Sequence, residues 1–467
     1  MISFSTLDII IILLFFLALV IIGLLPGFRK KVSGKEEYLL HGRKVGLILF
    51  ILSNVSTWYG GILGVGEFTY RNGLFSWITQ GLPYYIFAII FAFLFAPKIR
   101  NASLYTIPDK LELVYGKRVG VITSLLIFIL VSPAPYILMI GSLINLIFGL
   151  DLILSLIIAT LLSSIYLIKG GYKSDLYTDV LQFFIMFIGF AIIVFFSFKN
   201  IGGTDFLYKS LPETHLSITG GVSPFYLIVW FLIALWTFAD PGFHQRCYAA
   251  KTGNTAKWGI IISVFFWLLF DLLTTTTGLF ARAAMPNLEN PVFSFPIYAE
   301  KVLGSGLKGI FYAALFATII STSNSFLFIS GTTFGNDLLP KLFYKNISEK
   351  NVVLYVKVGI LISGIIAIIL SAAIQSVIDL WYLIGSFCIP GIILLIFGAY
   401  FEKFRVSNKI ALTELIVGSS TSVVWHFIRW EFSSGLFTMI EPMIIGLSFA
   451  GIIHVIGLIK KREVIER

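Results

Sequence analysis

Residues 314–325 read ALFATIISTSNS. They lie inside an apolar segment, Phe311 to Thr333, rich enough to sit in a bilayer. Yet Thr318, Ser321, Thr322, Ser323, Asn324 and Ser325 crowd oxygen into its middle. On a helix, positions 318, 321, 322 and 325 stand at i, i+3, i+4 and i+7 and share one face. In hydrocarbon those oxygens need partners, because unsatisfied polar groups are costly there. Single hydroxyls of this kind bond back to carbonyls one turn earlier, or join two helices. A whole hydroxyl face beside a broken helix suggests instead oxygen ligands for a small hard cation.

The rest of the chain supplies the membrane that this segment requires. Of 467 residues, 58% are hydrophobic and 12% charged, which describes an all-α polytopic membrane protein. The formal net charge of +10 fits basic loops facing an anionic lipid bilayer rather than nucleic acid. Cys247 and Cys388 sit in different apolar segments and suggest neither a disulfide framework nor a thiolate metal site. There is no phosphate-binding Gly loop, no GxSxG and no HExxH, so no enzyme is expected. His426 and His454 lack a second ligand at helical spacing and read as interior or interface histidines. No obligate protein partner is evident.

Hydropathy gives about thirteen segments of spanning length. They run near 6–25, 45–70, 74–97, 119–147, 151–168, 175–198, 223–244, 256–280, 306–334, 352–374, 377–401, 408–428 and 437–459, numbered here as spans 1 to 13. Span 1 lacks a preceding positive region and is long enough to cross, so it reads as retained rather than cleaved. Most of the 34 Lys and Arg fall in the loops after odd-numbered spans and in the C-terminal KKREVIER. That asymmetry places the C-terminus in the cytoplasm and the N-terminus outside.

Several spans are irregular. In span 2, SNVSTWYGGILGVGE (53–67) is a poor continuous helix. It reads either as close packing on small residues or as a helix unwound at the midplane, its carbonyls facing a cavity. Span 6 carries Asp179 about a turn inside its apolar stretch, with Thr178 before it and Gln182 one turn later. It is a functional candidate, or an interfacial acid paired with Lys173. Span 7 ends in WTFADPGFHQRCYAAK, where Asp240-Pro241-Gly242 breaks the helix and His244, Gln245 and Arg246 read as a cytoplasmic helix end. Asp271, in span 8, is a third intramembrane acid with no assignable partner. Pro390-Gly391 is expected to kink span 11.

Together, several stretches resemble the sodium:solute symporter family. SGKEEYLLHGRKVG (33–46) is like the family's E-(D/E)-Y-(F/L)-L-x-G-R-x-(L/M), and YTIPDKLE (105–112) is like its T-(I/L)-P-(D/E). GGYKSDLYTDVLQ (170–182) is like GGxxAVxxTDxxQ, and HQRCYAAK (244–251) is like QRxxAAK. ALFATIISTSNS is like A-A-x-M-S-T-x-(D/S)-S. The motifs occur in the family's order over residues 33–336; residues 337–467 resemble it only in hydropathy. One departure is Ser174-Asp175 where the pattern has Ala-Val, which adds charge at the expected cytoplasmic mouth.

The resemblance implies a LeuT-type core of two inverted five-helix repeats, with spans 2–6 in residues 45–200 and spans 7–11 in 201–403. Residues 1–44 would hold the peripheral first span and a basic loop; 404–467 would hold spans 12 and 13 and the tail. The implied function is sodium-coupled import of a small organic solute by alternating access, in the inner (plasma) membrane. The rivals are a proton-coupled carrier and a non-transporting membrane sensor of the same fold. Some relatives are fused to kinase modules, for which this chain has no room after Leu458. The main sodium site implied comprises backbone oxygens of Leu52, Val55 and Thr318 with the hydroxyls of Ser321 and Thr322. A second sodium would use Asp179, Ser321, Asn324 and Ser325; alternatively Asp179 is a structural tie or a proton site. The solute pocket would include Asn54, Trp58, Tyr59, Gln80 and Asp240.

Overall fold

The computed structural model describes residues 3–29, 34–221, 224–343, 347–431 and 440–465. Among them every regular element is helical, apart from one isolated bridge between Val45 and Ala250. Eleven helices are long and apolar enough to cross a membrane, and a twelfth span is the bent pair Leu47–Tyr59 and Ile62–Asn72. The thirteenth expected span, span 7, exists as three pieces, Pro224–Ile233, Ala234–Ala239 and Pro241–Ala249. None reaches spanning length alone, because the Asp240-Pro241 step ends one helix and starts the next. Residues 223 and 437–439, where spans 7 and 13 were expected to begin, lie outside the described residues. Span 11 runs as one helix, Val377–Tyr400, with Pro390 inside it.

Span 9 is the axis. Its apolar window, within Leu307–Phe343, is 94% buried by protein, against 33% for span 1 and 28% for span 12. Helices buried on all sides can carry polar side chains that lipid-facing ones cannot. The most extensive helix contact among the described residues joins span 9 to span 6, Tyr172–Asn200. The approach is close because Gly189 has no side chain; a Cβ there would lie 2.3 Å from that of Ala314. Beyond Thr332 the span continues as a π-helical stretch, Thr333–Leu338, and then Leu339–Phe343.

The family-like motifs converge at one end of the bundle. Gly171 adopts φ +62° at the start of span 6, and a Cβ there would lie 2.5 Å from the Tyr38 carbonyl oxygen. The Tyr38 hydroxyl donates to the carbonyls of Leu167 (3.0 Å) and Ile168 (3.2 Å). Arg43 donates to carbonyls of Ser103, Leu104 and Tyr248, each at 3.1 Å. Thr106 caps the helix Ile107–Tyr115, accepting from Asp109 N, and its own hydroxyl donates to Asp337 at 2.9 Å. Lys341 then bridges Asp109, Glu112 and Asp337 at 2.9–3.6 Å.

The tight span 6–span 9 contact makes a stability prediction. Gly189→Val should lower the melting temperature of detergent-purified protein, with an overpacking cost of about 1–3 kcal/mol. Gly203→Ala, where an added Cβ meets no atom within 4 Å, should leave it unchanged. Equal shifts for both would mean that the close approach does not limit stability.

Candidate functional site

The site begins at the break in span 2. Helix Leu47–Ser56 stops at Thr57–Gly61, and Ile62–Asn72 resumes; the two parts of the span are bent by 57°. Glycine permits both the turn and the approach of neighbours. A Cβ on Gly60 would fall 2.3 Å from Thr322, and one on Gly61 would fall 2.3 Å from Trp381. The hydroxyl face of span 9 therefore meets the break directly. Thr322 Oγ1 donates to the Thr57 carbonyl at 2.6 Å, and Ser321 Oγ lies 3.2 Å from Thr57 Oγ1. The Thr318 carbonyl accepts from Thr322 at 3.4 Å. Leu52 and Val55 lie in the turns just before the break, their carbonyls accepting from Ser56 Oγ (2.9 Å) and Trp58 N (3.2 Å). A neutral set of carbonyl and hydroxyl oxygens of this kind suits a hard monovalent cation.

One layer away lie two carboxylates, both fully buried. Asp179 accepts from Ser53 Oγ at 2.5 Å and from Ser321 Oγ at 2.7 Å. Asp175, one turn earlier on the same helix, accepts from Ser325 Oγ at 2.7 Å, and its other oxygen has no partner. Of the residues expected around a second sodium, Ser321 thus stands on Asp179 and Ser325 on Asp175. Asn324 turns its amide to the Tyr166 hydroxyl.

Two sequence expectations are corrected here. Arg246 is not at a solvated helix end: it is 2% exposed and reaches the core of the site. Its Nη2 donates to Thr57 Oγ1 (2.6 Å) and Ser325 Oγ (3.1 Å) and lies 4.0 Å from Asp179. The cause is the break before it. Asp240 caps helix Pro241–Ala249 by accepting from Phe243 N at 2.8 Å, and this restarted helix carries Arg246 inward. Nor does Asp175 sit at a mouth; its i, i+4 relation to Asp179 turns it to the same hydroxyls. That spacing, and an Arg less than two turns after an intramembrane break, are the signals that could have found both.

The expected solute residues divide. Asn54, Trp58 and Asp240 line one cavity of about 30 Å³ with Phe243, Arg246 and Phe326. Trp58 stacks on Trp267 of span 8, ring centroids 4.6 Å apart. Tyr59 turns away: its hydroxyl donates to the Trp267 carbonyl at 2.7 Å and its ring packs on Phe270. Gln80 does not line the cavity. Asp271, for which the sequence offered no partner, accepts from the Tyr85 hydroxyl. His454 is paired as an interior histidine, Nδ1 lying 2.8 Å from Glu414.

Comparison with known proteins agrees with this architecture. A model of the sodium:solute symporter family matches residues 38–418. High-affinity choline transporter 1 of Drosophila melanogaster is 26% identical over 394 residues, which is 79% of this chain but 63% of that protein's length. The osmoregulated proline transporter OpuE of Bacillus subtilis (strain 168) is 26% identical over 96% of this chain and 94% of its own. A solved structure of a Na+-coupled sialic acid symporter, substrate-bound and outward-open, superposes with a TM-score of 0.83 at 18% identity and covers 98% of both chains. The fold is accordingly of the LeuT type, and spans 2 and 7 are both broken.

The buried charges make a prediction. Arg246→Met leaves Asp175 and Asp179 without a counter-charge and should destabilise the purified protein by about 3–5 kcal/mol. Adding Asp179→Asn should recover part of that loss in a double-mutant cycle of thermal or denaturant unfolding. A single mutant as stable as the parent would show that the guanidinium does not hold the carboxylates.

Proposed function

The chain belongs to the sodium:solute symporter family and is a sodium-coupled multi-pass membrane transporter, not an enzyme; we propose that it imports a small organic solute by alternating access around the break in span 2. The observation that carries this reading is the hydroxyl pair Ser321 and Thr322 of span 9 set against Thr57 at that break. Together with the carbonyls of Leu52, Val55 and Thr318 they offer five neutral oxygens. Neutral ligation gives modest affinity, which suits an ion that must be released inside the cell; helix-end dipoles, and the Asp179 carboxylate one hydrogen bond behind Ser321, balance its charge. The Lys and Arg asymmetry supports the plasma membrane with the C-terminus inside. The repeats are taken as residues 45–200 and 201–403, flanked by peripheral 1–44 and 404–467.

A second sodium is supported by geometry. Asp175 and Asp179 are buried one turn apart on span 6, and Arg246 lies 4.0 Å from Asp179. A second ion held by Asp179, Ser321 and Ser325 would meet a carboxylate and two hydroxyls that already bond these acids. Asn324 joins that set once its amide leaves Tyr166. The competing role for Asp179, a structural tie or proton site, rests on the same two hydroxyl bonds. The solute would occupy the cavity lined by Asn54, Trp58 and Asp240, with Tyr59 supporting Trp58 through their shared contact with Trp267; Gln80 lies outside that lining.

Proteoliposome uptake tests both ions. Ser321→Ala with Thr322→Val should raise the half-saturating sodium concentration about tenfold, equivalent to ~1.4 kcal/mol. Unaltered sodium dependence would remove the first site. Two sodium ions per solute, falling to one in Asp179→Asn, is expected for the second. A parental ratio of one would leave Asp179 a tie or gating residue. Uptake driven by a proton gradient without sodium would contradict sodium coupling.

A further inference from the structure

The cavity between spans 2, 7 and 9 holds opposite charges that do not pair with each other. Asp240 and Arg246 both line it, and no ion pair within 4.0 Å joins them among the described residues. They bracket Gly242: a Cβ there would lie 2.9 Å from Asp240 Oδ1 and 3.2 Å from Arg246 Nη1. Glycine at 242 therefore keeps open the space between an acid and a base. Arg246 and Asn54, which both line this cavity, each also hold a buried donor without an acceptor among the described residues, Nε and Nδ2. Asp240 uses one oxygen to cap Phe243 N. The walls between these groups are the rings of Trp58, Phe243 and Phe326.

We propose that the solute is a short zwitterion, an ammonium and a carboxylate about one carbon apart, as in an α-amino acid or a betaine. The proposal rests on the cavity being the solute site. The carboxylate goes to the Arg246 guanidinium and the Asn54 amide, and the ammonium goes to Asp240 against the aromatic faces. A neutral solute would leave the unpaired charges and donors desolvated. A simple anion would face Asp240, and a simple cation would face Arg246; each mismatch is penalised. The cavity of about 30 Å³ holds roughly two waters, so one of its rings must move to admit the solute, as alternating access requires.

The test is thermal stabilisation and calorimetric titration of the purified full chain, with and without sodium. The probes are the common α-amino acids, glycine betaine, glucose, propionate and tetramethylammonium. At least one zwitterion should raise the melting temperature in a sodium-dependent way and bind at least tenfold more tightly than glucose, propionate or tetramethylammonium. Asp240→Asn keeps a competent helix cap and should weaken that zwitterion at least tenfold. The proposal is overturned if no zwitterion binds, or if a neutral or singly charged probe binds as well. It is also overturned if Asp240→Asn binds unchanged while Asn54→Ala binds more weakly, which would leave the cavity as the solute site for another chemistry. Unchanged binding in both variants would reject the cavity itself, and the zwitterion with it.

Discussion

A carboxylate in the middle of a bilayer must be met by donors or by positive charge, because water is not there to do it. Asp179 sets that requirement for this protein. Its donors are Ser53 from span 2 and Ser321 from span 9, and its nearest cation is Arg246 from span 7. One side chain of span 6 thus fixes the relative placement of three other helices. None of the three could satisfy it as a regular lipid-facing span. Span 2 has to break so that glycines admit span 9, and span 7 has to break so that Arg246 points inward. The irregular helices and the buried charge are consequences of the same constraint.

Packing follows from it. Polar side chains at this density are tolerated only on a helix surrounded by protein, and span 9 is that helix. It gains close neighbours where one partner lacks a side chain, at Gly60 of span 2 and Gly189 of span 6. Between such helices there is no hydrophobic driving force in lipid, so the contacts rest on van der Waals fit and hydrogen bonds. At the other end of these helices the motif residues Tyr38, Arg43 and Tyr248 donate to backbone carbonyls in the same manner.

Much of this was legible because it is local. The spans are long apolar runs, the hydroxyl face of span 9 is a helical spacing, and the break in span 2 is a glycine cluster. What was not legible is which side chain meets which across helices. Arg246 reads from the sequence as part of a cytoplasmic helix end; only the reinsertion of the helix that restarts at Pro241 shows otherwise. Asp175 looked like surface charge until the buried face of span 6 was known. Tyr59 neighbours Trp58 in sequence, yet successive residues at a helix break diverge: one lines the cavity and the other bonds span 8. Asp271 lacked a partner in sequence because Tyr85 is 186 residues away.

The guanidinium of Arg246 belongs to two places at once, and this gives coupling a physical sign. Toward span 6 it holds Thr57 Oγ1, Ser325 and the field of Asp179. It also lines the cavity, where its positive charge stands across from Asp240. On the second-sodium proposal, an ion beside Asp179 would take over part of that carboxylate's field, so less of the guanidinium's charge would be compensated from within the protein. The same positive charge then acts more strongly on a carboxylate in the cavity. By linkage the effect is reciprocal: the solute carboxylate that engages Arg246 leaves Asp179 more exposed to the ion. Thr57 adds a mechanical link, since its hydroxyl lies within 3.2 Å of Ser321 while its carbonyl accepts from Thr322. On the zwitterion proposal, coupling therefore needs no long pathway. It needs one Arg with an ion site on one side and a solute carboxylate on the other, held at a helix break that both sites share.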